Sequence, residues 1–90
     1  MRHIYILSGT TLQANHFIYR NELTPEDYVR ITTSAMFESA PKGARVIKTG
    51  KWEKHSHLPE LQKLFVAKSS NLLEEKEWLE IIQRNKDALN

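Results

Sequence analysis

His3-Ile4-Tyr5-Ile6-Leu7-Ser8-Gly9 is the stretch on which the fold turns. Its first five residues are almost continuously apolar, β-branched or aromatic, as expected of a strand covered on both faces in the interior of a parallel sheet. Ser8-Gly9 breaks the run. Thr10 or Thr11 then caps a helix running to about Asn21, with Leu12, Ala14, Phe17, Ile18 and Tyr19 facing inward. A buried strand that passes directly into a helix opens a parallel α/β unit, and the rest of the chain continues the alternation.

Asn21 stops the helix and Leu23 docks behind it. Thr24-Pro25-Glu26-Asp27 is a turn, and Tyr28-Val29-Arg30-Ile31-Thr32 alternates at period two, a half-exposed strand with Val29 and Ile31 on one face. Ser34 caps a short helical piece, Ala35 to Ser39, which Ala40-Pro41-Lys42-Gly43 ends. A third strand, Ala44 to Lys48, lies between Gly43 and Gly50. After the polar stretch Lys51 to His57, Leu58-Pro59-Glu60 starts a helix with proline where a backbone N–H is not needed. That helix turns Leu61, Leu64 and Phe65 inward, and Ser69-Ser70-Asn71 interrupts it. Asn71 and Glu74 have capping-box spacing for a last helix, whose stripe is Trp78, Ile81, Ile82 and Leu89, broken by Asn85.

The expected fold is α/β: a small three-stranded parallel sheet of order 2-1-3, flanked by helices and followed by a C-terminal helix. Its weak point is the second crossover, about nine residues from Thr33 to Pro41 where parallel connections usually take a dozen.

The chain has 90 residues, room for a single domain over 1–90. It has no cysteine, so no disulfide and no thiolate metal site is expected. Hydrophobic residues make up 40% and charged ones 27%, an ordinary soluble composition. Ile4 to Leu7 is too short for a membrane span or a secretory signal, so the expectation is a cytoplasmic protein with no membrane role. The net charge of +2 does not by itself demand nucleic acid. Its distribution is uneven, because Lys42, Arg45, Lys48, Lys51 and Lys54 cluster with a single acid, Glu53, among them.

In an open parallel sheet, ligands bind beyond the carboxyl ends of the strands, where the strand order reverses. Three polar loops would meet there: Ser8-Gly9-Thr10-Thr11, Thr32-Thr33-Ser34 and Thr49-Gly50-Lys51-Trp52. Gly9, Thr10, Thr11, Thr33, Ser34, Gly50 and Lys51 are thus candidates for holding a phosphate, through hydroxyls, glycine amides, a helix N-terminus and a lysine. The plainer reading is that strand-to-helix turns simply use such residues.

Neither a phosphate-loop sequence nor a dinucleotide fingerprint is present. Gly9 stands alone, and Gly50-Lys51 precedes Trp52 rather than a hydroxyl residue. His55-Ser56-His57, even with Glu53, is a poor metal site, and solvated histidines are the simpler account. Glu74, Glu75 and Glu77 favour the helix dipole rather than acid–base chemistry. No catalytic residue, metal or cofactor is assigned.

Lys42, Arg45, Lys48, Lys51 and Lys54, with Trp52 to stack on a base, form the candidate nucleic-acid segment. On the alternating strand faces, Tyr5, Tyr28, Arg30 and Lys48 would share one side of the sheet. Lysines that keep an edge strand soluble explain the same pattern.

Ile4-Tyr5-Ile6-Leu7-Ser8-Gly9, the helix from Ala14 to Leu23, the strand from Pro25 to Thr33 and Val46-Ile47-Lys48-Thr49-Gly50-Lys51-Trp52 resemble a loose group of small phage-encoded α/β proteins. The resemblance covers about the first sixty residues. It implies a Rossmann-like or degenerate nucleotide-binding shape and a phage or mobile-element origin, and carries no settled activity.

The functional expectation is a small non-enzymatic accessory protein that binds another macromolecule, a protein partner or a second copy of itself. The alternatives are nucleic-acid binding through residues 42–54 and a nucleotide or phosphate site at the strand ends. Trp78 is expected to pack in the core, covering the second face of the sheet, rather than in an interface.

Overall fold

Four parallel strands, not three, form the sheet, in the order β2-β1-β3-β4. The computed structural model describes residues 4–89, with side chains through Gln83. Along the chain run β1 (Ile4–Leu7), α1 (Thr11–Arg20), β2 (Tyr28–Arg30), α2 (Ala35–Glu38) and β3 (Arg45–Lys48). A 3₁₀ turn (Trp52–Lys54), α3 (Leu58–Ala67), β4 (Asn71–Glu74) and α4 (Glu75–Leu89) follow. The short second crossover, residues 31–44, carries the chain from β2 past β1 to β3, which runs parallel to both.

The fourth strand corrects the expected start of the last helix. Asn71-Leu72-Leu73-Glu74 is extended because it pairs with β3, Arg45 with Asn71 through Lys48 with Glu74. The cap has moved on by one strand. Glu77 accepts the Glu74 N–H at 3.0 Å, so the reciprocal half of a capping box sits three residues later than the spacing suggested.

The sheet is covered on both faces. One cluster, under α1 and α4, comprises Ile4, Ile6, Ala14, Phe17, Ile47, Leu73 and Trp78. The other, under α2 and α3, comprises Leu7, Ile31, Phe37, Ala40, Ala44, Val46, Leu61 and Phe65. This division follows from chirality. The crossover from β1 to β2 moves one way across the sheet and the next two move the other way, so connections of a single hand must use opposite faces. Ile4, Ile6 and Leu7 are all buried, as the opening stretch predicts.

Trp78 is 4% exposed and belongs to the core; Ile81 and Ile82 are half-buried beside it. Asn85 and Leu89 lie beyond the residues whose side chains are described. Leu12 and Tyr19, expected inward, are 63% and 86% exposed. A helix on a sheet buries a single stripe, and here Ala14, Phe17 and Ile18 fill it. Tyr5, Tyr28, Arg30 and Lys48 do not share a face. The register pairs Tyr28 with Ile4 and Arg30 with Ile6, on the α1 side, whereas Lys48 pairs with Leu7 and lies with Tyr5 on the opposite side.

Helices α1 and α3 end in the same way. The N–H of Leu23 reaches the Ile18 carbonyl and that of Glu22 reaches Tyr19; Ser70 and Ser69 repeat the pattern on Phe65 and Val66. These are Schellman closures, which place the residue after the cap in the left-handed region. Glu22 (φ 53°) and Ser69 (φ 50°) occupy it without being glycine.

Candidate functional site

The carboxyl ends of β1 and β2 open into a polar cavity of about 150 Å³. Its walls are Ile6, Ser8, Gly9, Thr10, Thr11 and Ala14 from the first strand–helix unit, Arg30, Ile31 and Thr32 from the second strand, and His55 and Ser56. Of the phosphate candidates, Gly9, Thr10 and Thr11 line it; Thr33, Ser34, Gly50 and Lys51 do not. Arg30, His55 and Ser56 were not among those candidates.

Thr10 is the N-cap of α1, and its Oγ1 accepts the Gln13 N–H at 3.2 Å. The N–H groups of Thr11 and Leu12 are then first-turn donors that the helix cannot pair. Ser8, buried, donates to the Thr10 carbonyl at 2.6 Å and holds the turn. Arg30 is positioned by its Nη1, which donates to Asn15 Oδ1 at 3.0 Å and to the Tyr28 hydroxyl at 3.4 Å, with the guanidinium 5.5 Å from the Tyr28 ring centre. Among the described residues no carboxylate forms an ion pair with Arg30.

His55 closes the wall in one defined tautomer. Its Nε2 lies 2.7 Å from the Ile31 carbonyl, which can only accept, and its Nδ1 lies 3.0 Å from the His57 N–H, which can only donate. These contacts make Nε2 the donor and Nδ1 the acceptor. Both nitrogens are engaged, so neither is free to ligate a metal. Among the described residues no three His, Cys, Asp or Glu side chains are grouped to hold one.

The other crevice at the carboxyl edge, between β1 and β3, is filled from within. Gln13 Oε1 accepts both the Gly9 and the Lys51 backbone N–H, each at 2.9 Å. A signal for this was present in the sequence. Thr10-Thr11-Leu12-Gln13 has capping-box spacing, but the glutamine reaches one residue beyond the cap and across to a second strand end.

The basic segment is not one patch. Lys42 and Arg45 lie at the amino end of β3, and Lys48, Lys51 and Lys54 at or beyond its carboxyl end. Lys48 Nζ is 4.9 Å from the Trp52 ring centre and 3.3 Å from Glu74 Oε1, with its side chain only 19% exposed. Trp52 packs in turn against the core cluster under α2 and α3. Lys51 and Lys54 remain exposed.

An open groove of about 520 Å³ runs along α1, lined by Asn15, Ile18, Tyr19, Glu22 and Leu23. No described helix is long and apolar enough to cross a membrane. Fold and site together define a small parallel α/β protein with a polar, arginine-bearing carboxyl edge. The chain matches no protein-family model, and no curated protein or solved structure is significantly similar to it.

Proposed function

We propose that this protein is a non-enzymatic binding module for a small anionic ligand, taken between the carboxyl ends of β1 and β2. The observation that carries the reading is Arg30, a cation without a carboxylate partner among the described residues, in the wall of a cavity that also receives the first turn of α1. A guanidinium and the free amides of a helix N-terminus are complementary to a phosphate or carboxylate group. The size of the cavity narrows the ligand. About 150 Å³ is room for about five waters, below the usual range of sites for drug-sized molecules, so the ligand inserts one phosphate-sized group. The reading is of the same kind as the nucleotide-binding shape that the resemblance implies.

Calorimetric titration with inorganic phosphate and with nucleoside monophosphates tests it. The expected result is saturable binding that weakens at least tenfold in Arg30→Gln, whose thermal stability stays within about 1 kcal/mol of wild type. Binding unaffected by that change, or no binding of any of these anions, would remove the reading.

A protein partner is the second reading, favoured by Leu12, His16 and Tyr19. They follow at helical spacing on α1 and are all exposed. Sedimentation of wild type and of Leu12→Glu/Tyr19→Glu over a range of concentrations tests self-association through this stripe. A wild type that stays monomeric throughout counts against a second copy as the partner.

A further inference from the structure

Gly9 and Gly50 are where the chain can least accept a side chain. A Cβ on Gly9 would lie 2.4 Å from the Lys51 carbonyl oxygen and 3.0 Å from Gln13 Oε1. A Cβ on Gly50, which has φ +58°, would lie 2.5 Å from the same Gln13 oxygen. The two glycines thus form a cradle around one oxygen atom, into which the Gly9 and Lys51 N–H groups both point. Both partners are donors, so the carboxamide must present its oxygen, not its NH₂, to them. Two convergent backbone amides at 2.9 Å are the arrangement that holds an oxyanion, and here a neutral side-chain oxygen occupies it. This position is the β1/β3 switch point, the crevice in which open α/β sheets bind their ligands.

We propose that the β1/β3 crevice is an anion nest that Gln13 keeps filled, and that Gln13 thereby decides on which side of β1 the carboxyl edge takes its ligand. The class of group that fits is a single phosphate or carboxylate oxygen, which would stand where Oε1 stands now. A plug on the same chain is present at high effective concentration, so a free anion does not displace it from the wild type. The cavity between β1 and β2 has no such plug. The inference concerns the same edge as the proposed function and can stand or fall separately from it.

Titration of wild type and Gln13→Ala with inorganic phosphate, followed by calorimetric stoichiometry and the amide resonances of Gly9 and Lys51, is the test. The variant should bind one phosphate more than the wild type, and the Lys51 amide, which lies outside the β1/β2 cavity, should move in the variant alone. If the wild type binds none and the variant one, the nest stands and the β1/β2 reading falls. Equal stoichiometry with the Lys51 amide unmoved in a folded variant would overturn the nest. Should Gln13→Ala not fold, Gln13→Glu decides. A carboxylate accepted by both amides should melt at or above the wild-type temperature near neutral pH, and a clear drop would overturn the proposal.

Discussion

The indole of Trp78 and the phenyl ring of Phe17 meet beneath α1 and α4 with their centroids 5.2 Å apart and their planes tilted by 47°. This contact joins the first and last helices over β1 and β3, and makes α4 part of the core. Trp78→Ala should therefore cost about 3–5 kcal/mol, through lost burial and the cavity left behind. Chemical denaturation at two protein concentrations checks it. The mutant midpoint should fall by the same amount at both, since Trp78 is not buried against a second chain.

Ile6 lies at the centre of the sheet, 1% exposed between Arg30 on β2 and Ile47 on β3. Ile6→Ala should cost about 2–5 kcal/mol. In a domain this small that approaches the whole stability. Thermal melting by circular dichroism should show a loss of tens of degrees or no cooperative transition, and an unchanged melting temperature would contradict the packing.

Glu22 and Ser69 hold left-handed backbone at the ends of α1 and α3, where a Cβ is a liability. Glu22→Gly and Ser69→Gly should each stabilise the protein by about 1 kcal/mol, with additive effects because they close different helices. Urea denaturation of both single variants and the double variant measures this. Destabilisation by either would mean that its side chain contributes more than the conformational strain it causes.

His55 should display its fixed tautomer directly. Long-range proton–nitrogen spectra are expected to show a protonated Nε2 and an unprotonated Nδ1. His55→Ala removes the hydrogen bonds to Ile31 and His57 and should cost about 1–2 kcal/mol. An Nδ1–H tautomer would refute the wall geometry of the cavity.

What was legible in the sequence acts over a few residues. The unbroken apolar run marked β1 as the buried central strand. Thr10 and Asn21 bounded α1, and proline and glycine placed the turns. Such preferences are set by local backbone sterics and by hydrogen bonds between near neighbours. The inward stripe of α1 was legible only in part. Apolar spacing admitted Leu12 and Tyr19, and the single stripe that α1 lays on the sheet, Ala14, Phe17 and Ile18, left them outside.

The tertiary structure decided β4 and the site. Asn71-Leu72-Leu73-Glu74 carries a single buried residue, Leu73, beside an acidic run, a pattern equally suited to a helix start. Only pairing with β3 makes it a strand. In the same way, the capping-box spacing of Thr10-Thr11-Leu12-Gln13 is compatible with Gln13 turning back toward its own helix start but does not dictate the contacts it makes. The second amide comes from Lys51, 38 residues away, and Arg30 and His55 reach the cavity from other elements. Sheet pairing brings these groups together, and its free energy comes from burying Ile6, Ile47 and their neighbours, not from any preference of the loops. That is why the loop residues were recognisable as polar, while the crevice they would leave open was settled by the packed sheet.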